Sequence, residues 1–203
     1  MMVDRSAPFF DLEVRVARLL SAGLQPQIVS DELHVPLKAV TAVRKKAGLM
    51  SRPGQCPTAR RILEKPRARL SGAIVIYQYG LMTTGRPKTT STVDLDALLG
   101  IYAALRTPPL ADIGVILREL SLTQAWVLLN GLACGTVQRR ACQSRPRCHV
   151  EYPIAVDAHY ATPPCPFCSS PSLFPNRRAH PARAAKRRTS RRTPIGKNTN
   201  YAS

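Results

Sequence analysis

The stretch DLEVRVARLLSAGLQPQIVSDELHVPLKAVTAVRKKAG, Asp11 to Gly48, decides the fold class. Leu12, Val16, Leu19 and Leu20 recur at helical spacing, and Gly23 is placed to stop that helix. Pro26 opens a second, short helix carrying Ile28, Val29 and Leu33. Pro36 opens a third, with Leu37, Val40, Val43 and Ala47 turned inward before Gly48. Two short helices meeting at a tight turn predict a mainly α protein whose N-terminal segment is helix-turn-helix-like. The third helix then directs Lys38, Thr41, Ala42, Arg44 and Lys45 away from its apolar stripe. A face of small, hydrogen-bonding and cationic side chains suits a major groove, where helix N-terminal residues meet base edges and basic ones meet phosphates. Lys38, Thr41, Arg44, Lys45, Lys46 and Arg52 are therefore the candidate DNA-binding residues. Helix pairs with a tight turn also occur as plain packing units, and the bland alternative is a solvated basic face.

Downstream the pattern stays helical. Leu70 to Met82 is apolar, and a break follows through Gly80, Thr83 to Thr92 and Pro87. Asp94 and Asp96 then occupy the favourable first turn of a helix holding Leu95, Leu98, Leu99, Tyr102 and Leu105, which Pro108 and Pro109 end. Leu110 to Leu120 and Leu122 to Leu132 continue in register, the second with the lone Trp126 as a core anchor. This region holds no carboxylate pair and no Ser/His/Asp arrangement, so it reads as scaffold, and the chain as a whole reads as a non-enzyme.

Composition narrows the class. The 203 residues carry 30 Lys and Arg against 12 Asp and Glu, a formal charge of +18, which attracts polyanions and puts nucleic acid first among partners. Ten cations and a single acid, Glu64, lie between Lys38 and Arg69. No acid follows Asp157, and Pro171 to Ser203 carries nine Lys or Arg among Pro, Ser, Thr, Ala and Asn. So little apolar surface cannot offset the entropy of ordering, so this end reads as a disordered basic tail. The longest strictly apolar runs, such as Ala73 to Tyr77, fall far short of the roughly 20 residues a membrane helix needs. The N-terminus has Asp4 and Asp11 where a leader would be basic. The expectation is a bacterial cytoplasmic protein associated with the nucleoid, with no membrane partner.

The cysteines give the sharpest chemical signal. Cys142, Cys148, Cys165 and Cys168 fall in a C-x5-C-x16-C-x2-C pattern. Two close pairs separated by a short loop supply the four soft ligands that a tetrahedral zinc ion takes. Pro164-Cys165-Pro166-Phe167-Cys168 has knuckle spacing; the first pair is looser, which makes His149 and His159 substitute ligands. Four protein ligands leave no position for a substrate, so the metal, one Zn2+ per chain, is expected to be structural. Val150, Tyr152, Ile154 and Val156 alternate as in a strand, completing a small zinc ribbon. Cys56 and Cys134 are expected to fill space in the core. Cys165-Pro-Phe-Cys168 also has the form of a thioredoxin-type redox pair, but no βαβ pattern surrounds it. The resulting organisation is a helical region over 1–57 with the helix-turn-helix-like segment, a helical, partner-binding scaffold over 58–138, a ribbon over 139–170 and a tail over 171–203.

Several of these residues together resemble a known family. Leu122-Thr-Gln-Ala-Trp126 followed by Leu128, Gly135 and Cys142, then the four-cysteine region and a Ser/Pro/Lys/Arg end, is similar to the flagellar transcriptional activator FlhC. Asp11 to Gly54 agrees with that family's opening region, including the Val40 to Lys46 basic helix and the Ser51-Arg-Pro-Gly54 exit. The likeness covers most of Asp11 to Cys168 and is weak from Thr58 to Leu110. It implies a DNA-binding activator that pairs with an FlhD-like subunit in a hetero-oligomer, binds upstream of flagellar (class II) promoters and recruits RNA polymerase. It also implies a zinc ion on Cys142, Cys148, Cys165 and Cys168. The first cysteine pair is wider than the family's by Ser144, Arg145 and Pro146, and the tail is more arginine-rich. Relatives on conjugative mobile elements switch on transfer genes instead. From a different class, a structural or RNA-associated zinc-ribbon protein also fits the charge and cysteines, with few aromatic platforms for single-stranded bases.

Overall fold

Glycine ends both the first and the third helix, and each does so through the same geometry. The computed structural model describes residues 7–49, 56–84, 93–104, 119–144, 148–156 and 163–169, all within a unit that ends at Ser170. Helix α1 runs Ala7–Ser21, α2 Pro26–Leu33 and α3 Leu37–Lys46. At the end of α1, Gly23 takes φ +97°, its N–H reaches Leu20 O at 3.0 Å and Leu24 N–H reaches Leu19 O at 3.1 Å. Gly48, at φ +64°, repeats the pattern after α3 with Lys45 O and Leu49 with Arg44 O. This is the paired closure that satisfies orphan carbonyls and favours a residue without a Cβ. Between α2 and α3 the left-handed position is taken by His34, at φ 53°, whose neighbours brace the turn: Val35 N–H donates to Ser30 O, and Ser30 Oγ donates to Val35 O at 2.7 Å.

Helix α4, Ala59–Leu63, begins at Thr58, whose hydroxyl accepts the Arg61 N–H. Pro66 then opens α5, Pro66–Thr83, which starts a turn earlier than the apolar run suggests. Buried positions follow one another without a polar stripe from Ala68 to Ala73, as in a helix covered on most sides. Tyr77 and Leu81 nonetheless face solvent in its second half. Asp94 caps α6, Leu95–Ala104, by accepting the Ala97 N–H, while its own N–H donates to the Tyr79 hydroxyl at 2.7 Å. Helix α7, Leu122–Ala133, starts with a reciprocal cap in which Ser121 and Gln124 exchange side-chain and backbone hydrogen bonds. The predicted helix from Leu110 through residue 118, most of the break after Thr83, Arg52 and the tail lie outside the described residues.

After α7 the chain turns at Gly135 into strand β1, Val137–Ala141, which pairs antiparallel with β2, Glu151–Ala155. Strand β2 matches the expected alternating segment. Strand β1, with only Val137 and Ala141 apolar, has no strand signal of its own. In the register Arg139 faces Pro153, and the hydrogen bonds from Cys142 N–H to Val150 O and Val156 N–H to Thr136 O fix the phase of the ladder. Pro153 therefore falls at a non-hydrogen-bonded position, where its missing N–H costs no ladder bond. It is buried, whereas Val156 is exposed, because the face of β2 that meets α5 includes Pro153. Gly72 permits this approach: a Cβ there would stand 2.8 Å from Leu128 Cδ1 and 3.3 Å from Pro153 Cγ.

The main core joins α1 to α7 and β1 through Val16, Leu19, Val29, Val40, Ile62, Val75, Leu98, Leu128 and Val137, among others. Buried Thr123 ties distant parts together, since its hydroxyl donates to Gly23 O and accepts the Gln25 N–H, both at 3.1 Å. Three inward assignments need correction. Leu37 is 42% exposed because it stands about 90° around α3 from the centre of the Val40/Val43 stripe, and Ala47 is exposed because it caps the helix beyond its last turn. Cys56 and Cys134 are exposed, one in the segment before α4 and the other capping α7 beyond its buried face. Trp126 is only half-buried, at the edge of the core.

Candidate metal centre

The hairpin and the last described helix bring the two cysteine pairs together. Cys142 follows β1 directly, and its N–H extends the ladder to Val150 O at 2.9 Å; Cys148 lies on the other arm of the same connection. Cys165 precedes α8, Pro166–Ser169, and its carbonyl accepts the N–H groups of Cys168 and Ser169 and the Ser169 hydroxyl. This tight turn folds Cys165 and Cys168 onto one side. The four Sγ atoms lie within 4.8 Å of one another, with Cys148 and Cys165 buried and Cys142 and Cys168 half-buried. A small second core surrounds them: Ala73 of α5, Tyr152, and the partly buried Val150, Ile154 and Phe167. Tyr152 closes one side by donating its hydroxyl to Pro163 O at 3.0 Å.

The geometry fits a metal better than a disulfide. Cys142 Sγ and Cys168 Sγ are 3.7 Å apart, nearly twice a disulfide bond and equal to the edge of a thiolate tetrahedron with metal–sulfur bonds of about 2.3 Å. Four soft donors in this arrangement could hold one ion. His149 is exposed and stands outside the cluster, so no imidazole substitutes for a thiol among the described residues; His159 lies outside them. A redox role for Cys165-Pro-Phe-Cys168 lacks its usual setting, since the described strands form only an antiparallel pair and α8 has four residues.

The thiols are not electrostatically equivalent. Burial pushes Cys142 up, but the Ser144 N–H at 3.4 Å and hydrogen bonds with the thiols of Cys165, Cys148 and Cys168 outweigh it and bring Cys142 down to about 6. Cys168 is pushed up to about 12 by burial and by the surrounding thiols. Burial also raises Cys165. Cys142 is thus the readily formed thiolate beside the reluctant thiols of Cys165 and Cys168, and a soft divalent cation would bind by displacing the remaining protons.

The second set of candidate residues lies on α3. Lys38, Thr41, Ala42 and Lys45 are all exposed, and their i, i+3, i+4, i+7 spacing places them on one face. Thr41 Oγ1 is engaged by Leu37 O at 2.8 Å. Lys46 pairs with Glu13 of α1 at 2.9 Å, and Arg44 is half-buried beside the cleft formed by Leu20, Leu24 and Leu49. These last two stand off the face that Lys38, Thr41 and Lys45 share. Arg52 is outside the described residues.

No family model matches the chain, and no curated protein does. Function therefore rests on the site itself. Among the described residues no helix is long and apolar enough to cross a membrane. One residue beside the cysteines reads in sequence only as part of the DNA-facing cation run: Arg69 is instead buried in α5, one turn before Ala73. Its neighbours Lys65 and Arg67 are exposed, and nothing in the local spacing separates it from them.

Proposed function

We propose that this protein is a DNA-binding transcriptional activator of the FlhC type. It works with an FlhD-like subunit upstream of flagellar (class II) promoters and engages RNA polymerase in the bacterial cytoplasm, at the nucleoid. The observation that carries this reading is the exposed face of α3, where Lys38, Thr41, Ala42 and Lys45 project together from the second helix of a tightly turned pair. In a helix-turn-helix the second helix enters the major groove, so Lys38 and Thr41, in the first turns, would meet base edges and Lys45 a phosphate. Lys46, tied to Glu13, orients α3 against α1. The cation-rich residues from Arg52 to Arg67 extend the phosphate contacts, Arg69 being buried, and the tail adds sequence-independent affinity.

The four cysteines hold one structural zinc in this reading. When bound, zinc cross-links the hairpin tip to the C-terminal turn through Cys142, Cys148, Cys165 and Cys168. With every coordination position filled by protein, it binds no substrate. The test is elemental analysis of the chain co-expressed with an FlhD-like subunit, then size-exclusion on duplex promoter DNA and on RNA of equal length at matched salt. One zinc per chain and a complex with duplex DNA are expected. Preference for RNA would overturn the activator in favour of an RNA-associated zinc-ribbon protein.

A further inference from the structure

Arg69 is 4% exposed, a place where a guanidinium is costly. Its Nη1 donates to Leu63 O, the last carbonyl of α4, at 3.3 Å, and its buried Nε has no hydrogen-bond partner. None of the ion pairs among the described residues includes it: Arg15, Lys46, Arg60, Arg67 and Arg139 take carboxylates, and Arg69 does not. A buried cation held by one carbonyl requires negative charge nearby. Ala73, one turn further along α5, belongs to the small core of Cys148, Tyr152 and Cys165. Residues four apart share a helix face, so Arg69 is on the side of α5 that meets the cysteines. Burial pushes its guanidinium below the ordinary value, and the two groups acting in the opposite sense are Tyr152 and Cys165.

Four thiolates outweigh one divalent cation, so the filled centre is a net anion enclosed by apolar side chains. We infer that Arg69 is the electrostatic counterpart of the metal centre, a positioning residue whose buried charge balances the excess negative charge of the four cysteine sulfurs. The inference rests on the zinc reading above. It explains why a cation is retained inside α5 without a carboxylate. Each side offsets the desolvation of the other, and loss of one leaves an uncompensated buried charge.

The experiment uses the full chain with zinc and compares wild type, Arg69→Met and Arg69→Lys. Zinc affinity is read by competition with a chromogenic chelator, the thiolate-to-metal absorption of the cobalt-loaded protein reports the ligand set, and thermal unfolding is followed with zinc and without it. Arg69→Met is expected to weaken zinc binding by about 10- to 100-fold, the usual cost of losing an outer-shell partner. It should leave the metal-free protein at least as stable as wild type, since a buried unpaired charge is gone. Arg69→Lys should stay closer to wild type. Unchanged zinc affinity in Arg69→Met overturns the inference, as does an equal loss of stability with and without metal, which would make Arg69 a packing residue. If Arg69→Met does not fold, Arg69→Gln against Arg69→Lys gives the same contrast, and equal affinities overturn it. A wild-type chain that takes up neither zinc nor cobalt overturns the zinc reading, and this inference with it.

Discussion

Trp126 donates its indole N–H to Glu32 Oε1 at 2.9 Å, joining α7 to α2 through the chain's single tryptophan. The other carboxylate oxygen, Oε2, is buried without a hydrogen-bond partner, so the indole is a principal support of this acid. Replacing it leaves the carboxyl less satisfied still. Trp126→Phe should therefore destabilise the protein by about 1–3 kcal/mol, beyond any small packing change. Urea denaturation followed by circular dichroism measures it; a loss indistinguishable from zero would mean that water replaces the indole.

The same carboxyl should make stability depend on pH. Burial raises Glu32, the Trp126 hydrogen bond and His34 lower it, and Asp31 raises it, with a net upward shift. The folded protein then holds this proton more tightly than the unfolded chain. Its contribution is present in acid and is lost as pH rises from the ordinary carboxylate range through the raised value. Glu32→Gln has no proton to lose. Measured by urea denaturation between about pH 4 and pH 7, the variant should gain on wild type as pH rises across that window. A difference that stays constant with pH would refute the assignment.

Two glycines should respond to alanine with opposite signs. At Gly131 a Cβ would lie 2.6 Å from Val137 Cγ2 and 3.1 Å from Thr136 Oγ1, against a β-branched side chain that has little room to turn. At Gly80 nothing lies within 4 Å. Gly131→Ala is expected to cost about 1–3 kcal/mol through overpacking, although alanine is the better helix former. Gly80→Ala should gain about 0.5–1 kcal/mol. Melting temperatures moving in the same direction would show that the α7–β1 approach is looser than it looks.

Thiol accessibility separates the two classes of cysteine. In the native, zinc-loaded chain a maleimide should label Cys56 and Cys134, the two exposed thiols, and spare the cluster. Chelation should open Cys142, Cys148, Cys165 and Cys168 to labelling. Peptide mapping by mass spectrometry locates the adducts, and rapid labelling of the cluster before chelation would argue against bound metal.

For DNA, the face of α3 makes a quantitative demand. If Lys45 neutralises one phosphate, Lys45→Ala should reduce the slope of log affinity against log salt by about one unit, whereas Lys38→Ala should relax base preference. Both side chains are exposed, so the helical circular dichroism should be preserved. Titrations of duplex DNA at several salt concentrations decide it. An unaltered slope places the phosphate contacts elsewhere.

Local signals carried much of this structure. Gly23, Gly48, Pro26 and Pro36 mark helix ends because each acts through its own backbone, whatever surrounds it. The cysteine cluster was legible for a similar reason, since ligand spacing limits which loops can converge. Strand β1 was not, because Val-Gln-Arg-Arg-Ala is a strand only by virtue of pairing with β2. Leu37, Cys56 and Cys134 look buried from residue type alone, and their exposure depends on which neighbours pack beside them. Arg69 fails in the other direction: composition assigns an arginine to the surface, and only the placement of β2 and α8 against α5 encloses it.

The Thr123 hydroxyl has a consequence for the order in which the chain is made. It satisfies Gly23 and Gln25, residues 100 and 98 positions earlier, between the first and second helices. At about 5–20 residues per second, a ribosome delivers the N-terminal helices several seconds before the side chain that completes them. Until then, the nascent α1–α3 segment carries Leu24, Ile28 and Val29 without the rest of the core in which they are buried in the finished fold. The basic helix α3 is thus synthesised early and the α1–α2 junction before it is completed late, so a truncated chain would carry that helix without this support.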